Sequence, residues 1–193
     1  ISDLHTQNAS NVSAKVGDKL YRYCLTSFAM GSGKWYTEYY VAAESVSNMH
    51  IVGVSYDYNK CLDDGGYFGG ADQDSTSWGL SWNSYWYLND VTTLYDASIT
   101  FAVGDIVSTA LDLDNSKLYW AVNGVWLNSA DPTSGATGTG AISITSGKDN
   151  WVIGASVASG VTSKWAEGVM NFGADSSFAG NLTAQGNQDG NGK

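Results

Sequence analysis

The chain has 193 residues, a net charge of −10 at neutral pH and a single arginine, Arg22. Clusters of Lys and Arg bind phosphate backbones and anionic membranes, and this chain has no such cluster, so neither nucleic acid nor an anionic membrane is an expected partner. Hydrophobic residues make up 43% and charged ones 15%, which indicates one globular domain, and no apolar run is long enough to span a bilayer.

Short segments in which apolar and polar residues alternate follow one another along the chain and predict β-strands. Glycine, Asn and Asp close most of them, and no stretch has a helical period of usable length. At least ten short strands predict an all-β fold, a two-sheet antiparallel sandwich. In chain order the predicted strands include 19–27, 35–43, 51–58, 97–103, 106–113, 118–122, a strand opening at 125–126, 150–157 and 167–172. The aromatic-rich segment 78–88 lies between the third and the fourth of these.

The clearest predicted unit is a three-strand meander over residues 104–126. Residues 114–116, Asp-Asn-Ser, supply the chemistry of its first turn. Asn123-Gly124 supplies the second turn, because both residues tolerate a positive φ. The side chains expected to be largely buried here are Leu111, Leu113 and Trp120.

Eight short motifs then occur in a fixed order. They are Gly33-Lys34-Trp35-Tyr36-Thr37-Glu38, Val52-Gly53-Val54, Ser77-Trp78-Gly79-Leu80, Gly104-Asp105-Ile106-Val107, Ala110-Leu111-Asp112-Leu113-Asp114, Lys117-Leu118-Tyr119-Trp120, Val122-Asn123-Gly124-Val125-Trp126 and Asn171-Phe172-Gly173. In this order they resemble the SPRY domain. The resemblance implies a concanavalin-like sandwich that binds a partner and does not catalyse a reaction. We therefore expect a lead-in segment at 1–16, the SPRY-like sandwich at 17–178, and a Gly/Asn-rich tail or linker at 179–193.

The Ser/Gly/Thr-rich insertion near Asp131-Pro132 and the ending 177–187 are similar to SPRY-like modules of bacteriophage tail or surface proteins. This resemblance implies a recognition or adhesion module on a virion surface, made in the host cytoplasm, in a fibre, spike or decoration protein. The implied partners are a host-surface glycan or protein and other virion proteins, within a larger oligomeric assembly that gains avidity from many copies. Two alternatives stay open: a carbohydrate-active domain, lectin-like or hydrolytic, and a purely structural virion domain.

Two loops, 59–77 and 81–90, form the predicted binding region, because long loops on a rigid sandwich commonly carry binding residues. They combine Asp and Gly with surplus aromatic residues, whose flat side chains give a large contact area for few lost rotamers. The predicted ligand-binding residues are Tyr67, Phe68, Asp72, Asp74, Tyr85 and Trp86. Together with Asp63 and Asp64, the acids would select against anionic ligands. Two alternatives are that these aromatics close the end of the core and that the acidic loops hold calcium.

The other tryptophans are given simpler roles. Trp78 is expected in the core. Trp35, Trp120, Trp126 and Trp151 lie within strand patterns and are expected in the core or half in it. Trp165 is isolated among polar residues, which suggests an exposed loop anchor.

No catalysis, metal or cofactor is expected. Glu38 and Glu44 lie six residues apart, a spacing that one strand face would satisfy, but no glycosidase motif surrounds them, and retaining enzymes hold their two carboxyls about 5 Å apart. A Gly-x-Ser-x-Gly elbow, a phosphate loop and zinc-ligand spacing are all absent from the sequence. Cys24 and Cys61 are expected to be free thiols.

Overall fold

The computed structural model describes residues 4–6, 12–14, 21–46, 48, 50–62, 66–71, 75–158, 166–173, 177–178 and 180–183. These residues form fourteen strands and one short α-helix. The elements are β1 (Leu4–Thr6), β2 (Val12–Ala14), β3 (Tyr21–Leu25), β4 (Lys34–Glu44), β5 (His50–Ser55), α1 (Tyr58–Leu62), β6 (Ser77–Ser81), β7 (Tyr85–Leu88), β8 (Val91–Leu94), β9 (Ile106–Asp112), β10 (Lys117–Val122), β11 (Val125–Trp126), β12 (Ile142–Ser143), β13 (Val152–Ala158) and β14 (Ala166–Asn171). Within this part of the chain, no helix has the length and apolar character needed to cross a membrane.

Two six-stranded antiparallel sheets form a sandwich, which confirms the predicted fold class. The first, which we call the meander sheet, has the order β11-β10-β9-β4-β14, with β12 also paired to β10. The second sheet has the order β3-β13-β5-β6-β7-β8. β1 and β2 pair with each other within the predicted lead-in segment, whose boundary at residue 16 stays a prediction.

The core between the sheets is built from the inward-facing residues of both. Trp78 on the second sheet packs against Trp151, with ring centroids 5.5 Å apart. Trp120 on the meander sheet belongs to the same core cluster. Leu111 and Trp120 are buried, as predicted. Leu113 is only half-buried, because β9 ends at Asp112 and Leu113 already lies in the turn. The turn Asn123-Gly124 has φ of 49° and 79°, the predicted left-handed pair.

One predicted strand is absent. Residues 97–103 are irregular, and β8 at Val91–Leu94 takes the sheet position instead. Asn89 and Asp90 both adopt positive φ, of 52° and 60°, and so close a two-residue hairpin from β7 to β8. Phe101 is buried without belonging to a strand. Its segment shows the alternation of a strand, but no neighbouring strand in the described part of the chain pairs with it.

Three glycines lie side by side across the second sheet. Gly154 on β13 is opposite Gly53 on β5, and Gly53 is opposite Gly79 on β6. Val52 and Val54 belong to the inter-sheet core, so the intervening Gly53 faces away from it. The glycine row therefore lies on the outer face of this sheet.

Residues 66–71, which we call the covering segment, lie against Gly53 and Gly79 of this row. A Cβ on Gly53 would lie 2.6 Å from Cγ of Phe68, and one on Gly79 would lie 2.3 Å from the Phe68 carbonyl oxygen. The Phe68 backbone N–H donates to Ser156 Oγ at 3.2 Å, and that of Gly69 donates to Ser77 Oγ at 2.8 Å. All six residues of β5 are buried as a result, with solvent excluded from both faces of the strand.

A methyl group at the glycine row tests this packing. We expect Gly53→Ala to lower the free energy of unfolding by about 1–3 kcal/mol, because the new Cβ must displace Phe68 or the backbone of β6. The measurement is urea unfolding. Gly31→Ala is the matched control, since its Cβ meets only the end of the Asp149 side chain, at 3.2 Å. Equal free energies of unfolding for the two variants would show that the covering segment does not pack against Gly53.

Candidate functional site

The two predicted binding loops contact each other, but the residues in contact pack against the protein and do not form an open binding surface. The Tyr67 hydroxyl donates to Asp90 Oδ1 at 2.5 Å, and the Asp90 backbone N–H donates to the Gly69 carbonyl at 2.8 Å. The Tyr67 ring packs edge-on against Tyr87, with centroids 5.8 Å apart. Phe68 is 0% exposed. It has no surface to offer a ligand, which corrects its assignment as an anchor.

The remaining predicted residues divide between two situations. Tyr85 and Trp86 lie on β7 and are half-buried. Trp86 packs against the inter-sheet core, as the alternative of core closure anticipated, and keeps only part of its ring in solvent. Asp72 and Asp74 lie outside the described residues. So do Asp63, Asp64 and Trp165.

The exposed aromatic side chains lie elsewhere. In the described part of the chain, four aromatic residues have large exposed fractions: Phe28 at 45%, Trp35 at 37%, Tyr36 at 52% and Tyr58 at 44%. Trp35 was expected in or half in the core, but it is exposed, because it is the second residue of β4, at the end of the strand where the first three residues are all exposed. Its indole N–H donates to the Ser32 carbonyl at 2.8 Å. Sequence patterns gave Phe28, Tyr36 and Tyr58 no role, although alternation places Tyr36 on the outer face of β4.

The first of two depressions among these residues is a groove of about 200 Å³ on the outer face of the meander sheet. We call it the strand groove. Ala110 on β9 is in register with Tyr36 on β4 and with Tyr119 on β10, so a small residue separates two large ones. The rings of Tyr36 and Trp126 meet at a centroid distance of 6.5 Å. Trp35 also lines the groove.

Several polar side chains of the strand groove are paired with one another, whereas the buried Tyr119 hydroxyl has no hydrogen-bond partner in the described part of the chain. Lys34 Nζ lies 3.2 Å from Asp112 Oδ2. The Tyr36 hydroxyl donates to Glu38 Oε1 at 2.8 Å and lies 3.0 Å from Ser108 Oγ. Burial raises the pKa of Tyr36 to about 12, with Glu38 adding to the rise and the Ser108 hydrogen bond opposing it. Tyr36 therefore stays a neutral phenol at physiological pH.

The second depression, which we call the loop basin, has a volume of about 550 Å³. It lies between the segment after β3, the start of α1 and the segment before β13, and Phe28 and Tyr58 both line it. The Phe28 ring also contacts Trp35, with centroids 5.7 Å apart. Phe28 and Trp35 thus join the basin to the groove, and the four exposed aromatic residues make one continuous surface, which we call the aromatic surface.

Two side-chain amides in the loop basin have unused hydrogen-bonding capacity. Asn59 and Asn150 both line it and are exposed, and neither side chain makes a hydrogen bond within the described residues. The Asp57 carboxylate is engaged, because its Oδ1 accepts the backbone N–H groups of Asn59 and Lys60 at 3.1 and 3.2 Å. The basin therefore combines aromatic walls with available donors and acceptors.

One buried polar cluster contains residue types that are common in active sites, but a substrate cannot reach it. The Tyr39 hydroxyl lies 2.7 Å from Nδ1 of His50, and His50 Nε2 lies 3.8 Å from Glu44 Oε2. His50 is 2% exposed, and the depression beside it, between Trp82 and Phe101, has no room for even a water molecule. A substrate has no access to this imidazole.

The carboxylates are also poorly placed for hydrolysis. Glu38 and Glu44 lie on one unbroken strand, so six residues separate them by about 20 Å. That is beyond the roughly 5–9.5 Å of paired glycosidase carboxyls. Among the described residues, no three or more His, Cys, Asp or Glu side chains are grouped as a metal site; the acidic residues considered for calcium lie outside that part. Cys24 and Cys61 are buried and form no disulfide, and burial raises the pKa of each thiol to about 12.

The structure is similar to the SPRY domain of human HERC1, with a TM-score of 0.62 and 15% sequence identity over 88% of this chain and 92% of that one. The fold is that of a SPRY domain. The sequence itself matches no protein-family model and no curated protein. At this identity the similarity establishes the SPRY fold alone, so the binding surface has to be argued from the side chains.

The buried histidine predicts a pH dependence of stability. Burial lowers the pKa of His50 below its usual 6.5, against the opposing effects of Glu44 and the Ala43 backbone. The unfolded chain then binds more protons than the folded one between the two pKa values. We expect the free energy of unfolding to be highest above about pH 6.5 and to fall as the pH drops below it. Urea unfolding of the wild type and of His50→Asn measures this; an identical pH dependence in the two proteins would contradict the assignment.

Proposed function

We propose that this chain is a non-catalytic recognition module that binds its partner through the aromatic surface. The observation that carries the proposal is the position of Phe28, Trp35, Tyr36 and Tyr58, the aromatic residues with large exposed fractions in the described part of the chain, on one continuous surface. Single exposed apolar residues are ordinary, whereas contiguous patches mark binding sites. Aromatic residues dominate the binding energy of many interfaces.

The absence of catalysis is part of the proposal. It is supported by the distance of about 20 Å between Glu38 and Glu44 along β4 and by the burial of His50. The corresponding test is the release of reducing ends from plant and bacterial polysaccharides. Activity that Glu38→Gln abolished would contradict the proposal.

We further propose that the module belongs to the surface of a bacteriophage virion, where it binds a host-surface glycan or protein and contacts other virion proteins. The basis of this placement is the resemblance of the segment around Asp131-Pro132 and of the ending 177–187 to phage SPRY-like modules. The single arginine and the net charge of −10 favour neutral or basic partners over anionic ones. Many copies in one assembly would strengthen a weak individual contact.

The decisive variant removes two rings of the aromatic surface. We expect Phe28→Ala/Tyr36→Ala to unfold at nearly the wild-type urea concentration, because both rings are about half exposed, but to lose adhesion to host cells at least about tenfold. The measurement is binding of the 193-residue chain, displayed in many copies on beads, to host cells. Val91→Ala/Val125→Ala is the matched control, since these apolar residues are 65% and 57% exposed but do not line the groove or the basin.

A second variant separates this surface from the loops. The folded fraction of Tyr85→Ser/Trp86→Ser should adhere to host cells as the wild type does. If it folds and loses adhesion while Phe28→Ala/Tyr36→Ala retains it, the binding region is the pair of loops at 59–77 and 81–90. If the wild-type beads do not adhere to host cells at all, the purely structural role replaces the proposal.

A further inference from the structure

We infer that the loop basin is a binding site for a neutral saccharide, an inference that rests on the recognition function proposed above. The basin offers stacking surfaces first. Phe28 and Tyr58, which border it, are 45% and 44% exposed. A pyranose ring presents a patch of C–H groups on its faces, and such patches pack on aromatic rings as other apolar groups do.

The basin also offers the polar groups that sugar hydroxyls need. Each hydroxyl both donates and accepts, and a side-chain amide supplies two N–H donors and a carbonyl acceptor in one plane. Asn59 and Asn150 have these atoms available. The Ser27 hydroxyl, which also lines the basin, makes no hydrogen bond in the described part of the chain.

The strand groove is the poorer place for a sugar. Its charged groups and the Tyr36 hydroxyl are engaged, as in the Lys34–Asp112 pair and the Tyr36–Glu38 hydrogen bond, and its Tyr119 side chain is fully buried. Sugar hydroxyls entering it would lose water and gain few accessible partners, which is costly. The two depressions therefore differ in chemistry, and the saccharide is assigned to the basin alone.

Size and charge define the ligand further. The volume of about 550 Å³ lies within the range of about 300–1,000 Å³ that is typical of small-molecule sites. The Asp57 carboxylate is on the wall, and the Lys148 ammonium lies 5.2 Å from the ring centroid of Tyr56, which also lines the basin, so the charges beside the basin have both signs. With a chain charge of −10 as background, sialylated or uronic sugars are disfavoured. The expected ligand is a neutral saccharide.

The test uses an array of immobilised oligosaccharides, with neutral hexose and N-acetylhexosamine chains beside sialylated and uronic ones, probed with the 193-residue chain. We expect binding to neutral spots. Isothermal titration with the best neutral oligosaccharide should then show affinity lowered at least about tenfold by Tyr58→Ala and by Asn150→Ala, and kept within about twofold by Tyr58→Phe, which retains the ring. Val125→Ala is the control and should bind like the wild type, because this side chain is 57% exposed but lines neither the groove nor the basin.

The outcomes separate this inference from the function on which it rests. The chain could adhere to host cells, bind no glycan on the array and lose adhesion when the cells are treated with protease. That result would contradict the saccharide ligand and leave a protein-binding module. Glycan binding that Tyr58→Ala and Asn150→Ala leave unchanged would overturn the basin as its site. If the chain bound neither glycans nor host cells, the proposed recognition function would fail as well.

Discussion

The row formed by Gly154, Gly53 and Gly79 is the constraint on which the rest of the molecule depends. Three strands present no side chain at one level of the second sheet, and the covering segment lies directly against the backbone there at Gly53 and Gly79. Phe68 fills the space, and hydroxyls on β13 and β6 accept the backbone N–H groups of Phe68 and Gly69. β5 is thereby covered on its outer face as well as on its core face, and a loop with the composition of a binding loop is part of the packing.

The recognition surface that we propose lies around the start of β4. There the chain passes through Gly31-Ser32-Gly33 into the strand, and Trp35 and Tyr36 project beside a groove that the small Ala110 leaves open. Phe28 connects this groove to a basin with unengaged amides. An apolar groove next to a polar basin lets one surface contact both the carbon skeleton and the polar groups of a partner.

Strand alternation and the Asn123-Gly124 turn were enough to predict the sandwich and its meander, because both are local properties. The same alternation around Phe101 predicted a strand that does not form, since a strand also needs a partner in register. The burial of Phe68 could not be predicted from the sequence for a similar reason. Gly53, Gly79 and Gly154 are far apart in the sequence, and only strand pairing brings them together. The exposure of Phe28 and Tyr58 likewise depends on what the fold leaves uncovered.

Hydroxyl-radical footprinting of the free protein tests the central claim most directly, because Phe28 and Phe68 are the same residue type in opposite environments. The rate at which a side chain is oxidised follows its contact with water. With exposed fractions of 45% and 0%, Phe28 should be oxidised rapidly and Phe68 barely at all. Comparable oxidation of the two phenylalanines would show that the covering segment leaves the glycine row in solution, and the binding surface would have to be sought again in the loops.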